Sequence, residues 1–110
     1  MADILTISDR KQARIDAIRA ALPLLENELQ AYARSHQGRY LIFGSMVTGH
    51  LHYESDVDLL ADFSREKLGE ALDFANELGT RLNVPVDVVS FQHCKPEFLK
   101  RILPNARVLA

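Results

Sequence analysis

Cysteine is almost missing from this sequence, and so are long apolar runs. Cys94 is the only cysteine in 110 residues, so no disulfide can form within the chain and a reducing compartment is indicated. No stretch approaches the ~18 uninterrupted apolar residues that a membrane-spanning helix needs, and the first residues lack the pattern of a signal peptide. We therefore expect a cytoplasmic protein with no membrane partner.

A strong charge of either sign is also lacking. The formal net charge is −2 at pH 7, which gives no electrostatic footprint for a dedicated nucleic-acid binder. No internal repeat, low-complexity segment or linker divides the sequence. With 47% hydrophobic residues, we expect one folded domain over residues 1–110. It should consist of a helical N-terminal region, residues 1–36, and a core, residues 37–110.

The N-terminal region has the apolar spacing of an amphipathic helix that begins near Ser8 and Asp9. The apolar residues recur every three or four positions: Ile15, Ile18, Leu22, Leu25, Leu29 and Tyr32. Pro23 lies within this pattern and predicts a kink, or a break into two helices, near residue 22.

The core alternates segments typical of strands and helices. Strands are predicted at residues 39–43, 56–63 and 85–91, helices at 66–82 and 95–103, and a short RVLA tail after Pro104 and Asn105. This order predicts an α+β domain with a small mixed β-sheet flanked by helices.

Two aspartates begin the second predicted strand. Side chains alternate along a strand, so Asp56 and Asp58 point to the same face, with Val57 and Leu59 on the other. Neighbouring carboxylates repel each other, and a divalent cation relieves that repulsion; two carboxylates with substrate phosphates are a usual Mg²⁺ site. The alternative for this pair is a solvated strand start. Asp62 shares their face and is interpreted as solvent-facing or as an outer ligand.

Two further features point to the same chemistry. Gly44 and Ser45 directly follow the first buried strand, with Gly49 nearby, and a glycine there lets a phosphate approach the backbone closely. By themselves these residues are more typical of an ordinary loop. Asp87 is a lone charge in an apolar strand, and it would complete a carboxylate triad if that strand lies beside Asp56 and Asp58.

The run GSMVTGHLHYESDVDL from Gly44 to Leu59, followed by the strand aspartate Asp87, closely resembles the nucleotidyltransferase superfamily with the DNA polymerase beta fold. The length resembles that of its minimal bacterial and archaeal members. The resemblance implies that Gly44, Ser45, Gly49 and Ser55 hold the nucleotide. It also implies that Asp56, Asp58 and Asp87 are catalytic and ligate Mg²⁺, as two ions with Mn²⁺ as an alternative, and that ATP is the substrate.

The same resemblance implies a biological role. Minimal members often pair with a helical HEPN-type toxin and act as its antitoxin, and some adenylylate a tyrosine of that toxin. We therefore expect AMP transfer to a hydroxyl of such a partner. A homo-oligomer is the other expected assembly, because apolar residues of the N-terminal region extend beyond one stripe.

One departure from the family pattern stands beside the second glycine. Minimal members often have an arginine there, and this chain has Thr48. Arg39, Lys67 and Arg81 are candidates to replace that cation. If none does, the alternative function is a non-catalytic module that neutralises or scaffolds a partner by binding.

Overall fold

A computed structural model of the chain describes residues 7–44, 47 and 56–110. Within these residues its helices and strands are, in chain order, α1 (Ile7–Ser35), β1 (Arg39–Phe43), β2 (Val57–Asp62), α2 (Leu68–Leu82), β3 (Val86–Ser90), α3 (Pro96–Ile102) and β4 (Arg107–Leu109). Short 3₁₀ turns at Phe91–His93 and Leu103–Asn105 flank α3. The α+β class predicted from the sequence is confirmed.

Helix α1 runs without interruption through Pro23, so the predicted break into two helices is wrong. Proline removes one backbone hydrogen bond from a helix. The carbonyl that loses its partner is that of Arg19, four residues earlier, and because Arg19 is exposed, water can satisfy it. Ile18 and Leu25, on either side of Pro23, are buried in the core, and this packing holds both halves of the helix against the sheet.

The four described strands form one mixed sheet in the order β3-β2-β1-β4. Strand β1 pairs antiparallel with β2 and with β4, whereas β2 and β3 are parallel neighbours. The β2–β3 pairing follows from the connection, because parallel strands need a crossover and α2 supplies it. The start of β2, the start of β3 and the end of β1 consequently meet at one end of the sheet.

The two faces of the sheet have different surroundings. Helices α1 and α2 cover one face, where the buried side chains of β1 and β2 include Tyr40, Ile42, Val57 and Leu59. Residues that alternate with these lie on the other face. Helix α3 reaches that second face, since the Phe98 ring packs edge-on against Phe43 with ring centroids 5.8 Å apart.

The C-terminal RVLA segment is not merely a tail. Arg107–Leu109 forms β4, with Leu109 opposite Tyr40 and Val108 opposite Leu41 on β1. Three residues are too few to show strand periodicity, and the pairing depends on a distant partner. The other predicted elements are confirmed with ends shifted by one or two residues, as is usual. In the described part of the chain, no helix is both long and apolar enough to cross a membrane.

Candidate active site

The first part of the site is the start of β2, where acidic and apolar residues alternate. Asp58 is half-buried, while its neighbours Val57 and Leu59 are fully buried on the helix-covered face. Asp56 is exposed immediately before the strand. Strand alternation thus fixes the carboxylate of Asp58 on the face opposite the main core, as the sequence predicts.

Asp87 lies directly beside Asp58. The parallel register pairs Asp58 with Asp87 and Val57 with Val86, and paired residues of neighbouring strands share a face, about 5 Å apart. The placement of Asp87 next to Asp58 is therefore confirmed. The role of the three side chains as metal ligands stays a prediction.

The electrostatics of Asp58 reflect this crowding. Burial raises the pKa of its carboxyl, and the neighbouring charges of Asp87 and Asp56 raise that pKa further. None of the ion pairs formed between described residues includes any of these three aspartates. The site is therefore a concentration of negative charge that a cation would stabilise.

Gly44 closes the site at the end of β1. Its φ is +78°, a left-handed conformation that glycine adopts without strain. A β-carbon at this position would overlap the carboxylate of Asp58. The Gly44 carbonyl also accepts a hydrogen bond from the amide of Val47, at 3.1 Å. The turn therefore needs glycine both for its backbone conformation and for its close approach to Asp58.

The remaining residues predicted for nucleotide binding lie outside the described residues. They are Ser45, Gly49 and Ser55, and Thr48 lies there as well. Their predicted roles stay predictions.

An aromatic contact that the sequence analysis missed borders the carboxylates. Phe43 is the cross-strand partner of Asp58, and it carries the ring against which Phe98 of α3 packs. Strand alternation places Phe43 on the carboxylate face, so the position of Phe43 could be predicted from the sequence. The position of α3 over this face could not, because it depends on the path of the chain after β3.

The cations proposed to replace the missing arginine are engaged elsewhere. Arg39 donates to Asp62 at 2.8 Å, at the opposite end of β2 from Asp58. Lys67 donates to the carbonyl of His36 at 3.2 Å, and Arg81 pairs with Glu28 of α1 at 2.5 Å.

These contacts settle two interpretations. None of the three cations reaches the carboxylates in this arrangement, so their proposed role as substitutes is not supported. Asp62 is the partner of Arg39 rather than an outer ligand of the site.

The donor set suits an ion that takes part of its coordination from a substrate. Within residues 7–44, 47 and 56–110, no group of three or more His, Cys, Asp and Glu side chains is placed to hold a metal ion. Mg²⁺ characteristically uses one or two carboxylates and completes its shell with waters and phosphate oxygens. Asp58 and Asp87 lie side by side, and neither forms an ion pair with another described residue, so they provide oxygen ligands of that kind.

A separate cavity of about 370 Å³ opens near the start of β3 and is lined by Arg14, Asn76, Gly79, Thr80, Asn83, Val84, Pro85 and Val86. Its lining belongs to α1, α2 and the loop before β3. Val86 alternates with Asp87 along β3, so this cavity lies on the helix side of the sheet, away from the carboxylates.

Comparison with protein families agrees with this geometry. The model of the family described as Polymerase beta, Nucleotidyltransferase matches residues 27–110, which include the last third of α1 and every later helix and strand. Comparison with curated proteins gave no match, and comparison with solved structures gave none either.

Proposed function

Since this chain belongs to the polymerase beta nucleotidyltransferase family, we propose that it transfers AMP from ATP to a hydroxyl group and releases pyrophosphate. The observation that carries the proposal is the β2–β3 register, which sets Asp58 beside Asp87, with Gly44 against the Asp58 carboxylate. The neighbouring carboxylates of Asp58 and Asp87, next to a backbone turn, suit a metal-bound triphosphate.

The chain's own residues have distinct tasks in this reaction. Asp56, Asp58 and Asp87 would hold Mg²⁺, which when bound neutralises charge on the phosphates and polarises the α-phosphate. The carboxylate of Asp87, exposed on β3, accepts a proton from the attacking hydroxyl. Gly44 lets the phosphate chain approach the end of β1. The buried side chains of Val57 and Leu59 fix the strand so that the carboxylates keep their orientation.

The proposed acceptor is a tyrosine of a helical partner of the HEPN toxin type, which makes this chain an antitoxin. The support is the sequence resemblance to minimal nucleotidyltransferases and the surface of α1. Ile7 is 71% exposed and Leu24 51% exposed on this helix, and a partner packed on α1 would remove this apolar surface from water. Ile4 and Leu5, which are also apolar, lie outside the described residues.

Label transfer tests the reaction directly. The chain, co-expressed with the protein encoded beside it, is incubated with ATP labelled at the α-phosphate and Mg²⁺, and the label is followed into protein and into RNA. Label should appear on the partner and should disappear with Asp58→Asn and with Asp87→Asn. Asp62→Asn is the matched control, since it removes the same charge from the same strand face but lies beside Arg39.

The competing function is binding without catalysis, and one observation favours it. Arg39, Lys67 and Arg81 are all held away from the carboxylates, so the charge that the usual arginine would supply does not come from them. If the chain only binds its partner, the wild type should form a stable complex with that partner and give no labelled product in the transfer assay. Label in RNA would instead identify a polymerase-like enzyme.

A further inference from the structure

Arg101 is a cation that the proposed reaction has not used. It lies on α3 and is exposed. In the described part of the chain it belongs to none of the ion pairs. Its guanidinium carbon lies 5.5 Å from the centre of the Phe98 ring, within the range of a cation–π contact.

Phe98 connects this guanidinium to the carboxylate face. The Phe98 ring packs against Phe43 with centroids 5.8 Å apart and ring planes at 82°. Phe43 is the direct cross-strand partner of Asp58 and the residue before Gly44. The guanidinium carbon is therefore no further from the centre of the Phe43 ring than the sum of these two distances.

We infer that Arg101 supplies the positive charge that meets the triphosphate at the carboxylate site, in place of the arginine absent at Thr48. This inference rests on the proposed function. A triphosphate held at Asp58 and Asp87 extends beyond the metal ligands and brings several negative charges to an already negative edge. A guanidinium nearby offsets that repulsion and binds phosphate through two parallel N–H groups.

Three other cations fit this task less well. Arg107 is paired with Glu26 of α1, and Arg14 donates to the carbonyl of Asn83 on the helix side of the sheet. Lys100 precedes Arg101 on α3 and is exposed, but one residue along a helix turns the side chain by about 100°. Lys100 therefore does not share the direction in which Arg101 and Phe98, three residues apart, lie together.

Inorganic tripolyphosphate with Mg²⁺ is the probe, because it carries the phosphate chain without a base or an acceptor. Calorimetry measures its affinity for the wild type, Arg101→Gln and the matched control Lys100→Gln, which removes the same charge from the same helix. We expect Arg101→Gln to bind about tenfold or more weakly, the usual loss for a charged hydrogen bond. Lys100→Gln should stay within about twofold, as for a screened, distant charge.

Two further measurements separate a phosphate contact from a support of α3. Arg101→Lys keeps the charge and should recover part of the affinity. The affinity of Arg101→Gln should depend less steeply on salt concentration than that of the wild type. A mere shift of α3 that removed no phosphate contact would not change this dependence. Circular dichroism melting curves confirm that the variants remain folded.

The outcomes also separate this inference from the proposed function. If the wild type binds Mg²⁺–tripolyphosphate and the Arg101→Gln and Lys100→Gln variants have equal affinities for it, the role of Arg101 is overturned. The transferase proposal is unaffected by that result. Wild type that binds neither Mg²⁺–tripolyphosphate nor Mg²⁺–ATP overturns both.

Discussion

The hydroxyl of Tyr40 donates a 2.6 Å hydrogen bond to the backbone carbonyl of Ala71, joining β1 to α2 through the core. Both residues are fully buried, and burial raises the pKa of Tyr40 well above its ordinary value, so the hydroxyl remains a donor. The strand that ends in Gly44 is thereby tied to the helix that connects β2 to β3.

Replacing Tyr40 with phenylalanine removes this bond and leaves the ring packing against Phe63 in place. We expect a loss of about 0.5–1.5 kcal/mol in the free energy of unfolding, the usual net value of one hydrogen bond. Urea denaturation of the variant and the wild type measures it. An unchanged midpoint would show that the bond contributes nothing to stability.

Asp58→Asn should stabilise the protein in the absence of divalent cations. The pKa of Asp58 lies above its ordinary value of 3.8, so the folded chain holds this proton more tightly than the unfolded chain. Stability therefore falls as the pH rises from that ordinary value through the raised pKa, and above it the full penalty is present.

Thermal unfolding in EDTA, from pH 3 to pH 8, checks this direction. The variant should melt above the wild type at neutral pH, and the two should converge at the lowest pH, where the carboxyl is protonated in both states. Mg²⁺ should raise the melting temperature of the wild type more than that of the variant. A variant that is less stable than the wild type at pH 7 contradicts the argument.

Gly44→Ala should lower both stability and nucleotide affinity. The positive φ costs a non-glycine residue about 1 kcal/mol or more, and the added β-carbon overlaps the Asp58 carboxylate. Gly69→Ala is the control, because Gly69 is exposed in the first turn of α2 and nothing lies near its missing side chain.

The two glycine variants should change the free energy of unfolding in opposite directions. Alanine at a helical position such as residue 69 is more favourable than glycine by about 0.5–1 kcal/mol. Urea denaturation gives the stabilities, and calorimetry with Mg²⁺–ATP gives the affinities. Gly44→Ala with wild-type affinity would exclude the turn from phosphate binding.

Pro23→Ala should stabilise α1. Alanine restores the backbone donor that proline lacks, and a proline in a helix interior costs up to about 3 kcal/mol relative to alanine. Because proline also restricts the unfolded chain, we expect a net gain of about 1 kcal/mol in urea denaturation. A loss of stability would mean that α1 is shaped around Pro23.

The sequence predicted the part of the site that depends on local alternation and on one crossover. Asp58 could be assigned to the open face from its apolar neighbours, and Asp87 could be brought beside it by the strand–helix–strand unit. The position of Phe98 over Phe43 could not be predicted, since it depends on how the chain turns after β3. The ion-pair partners of Arg39 and Arg81 could not be predicted either, because each partner lies on another helix or strand that is distant in sequence.

Pro23 shows a different limit. Local propensity predicts a break at that residue, and the burial of Ile18 and Leu25 overrides it. Similarly, β4 is too short to be predicted as a strand from its own residues, because it depends on pairing with β1.

The strand order has a consequence for how the domain opens. Strands β2 and β3 are joined through α2. Strand β4, in contrast, pairs with β1 and contacts α1, which are both far from it in sequence, as the Arg107–Glu26 pair illustrates. Contacts that close long loops carry a larger entropic cost. In β4 only three residues make the contacts that offset this cost. Amide hydrogens of β4 should therefore exchange with solvent well before those of β2 and β3. Partial opening of the domain would begin at β4 and leave Asp58 and Asp87 aligned.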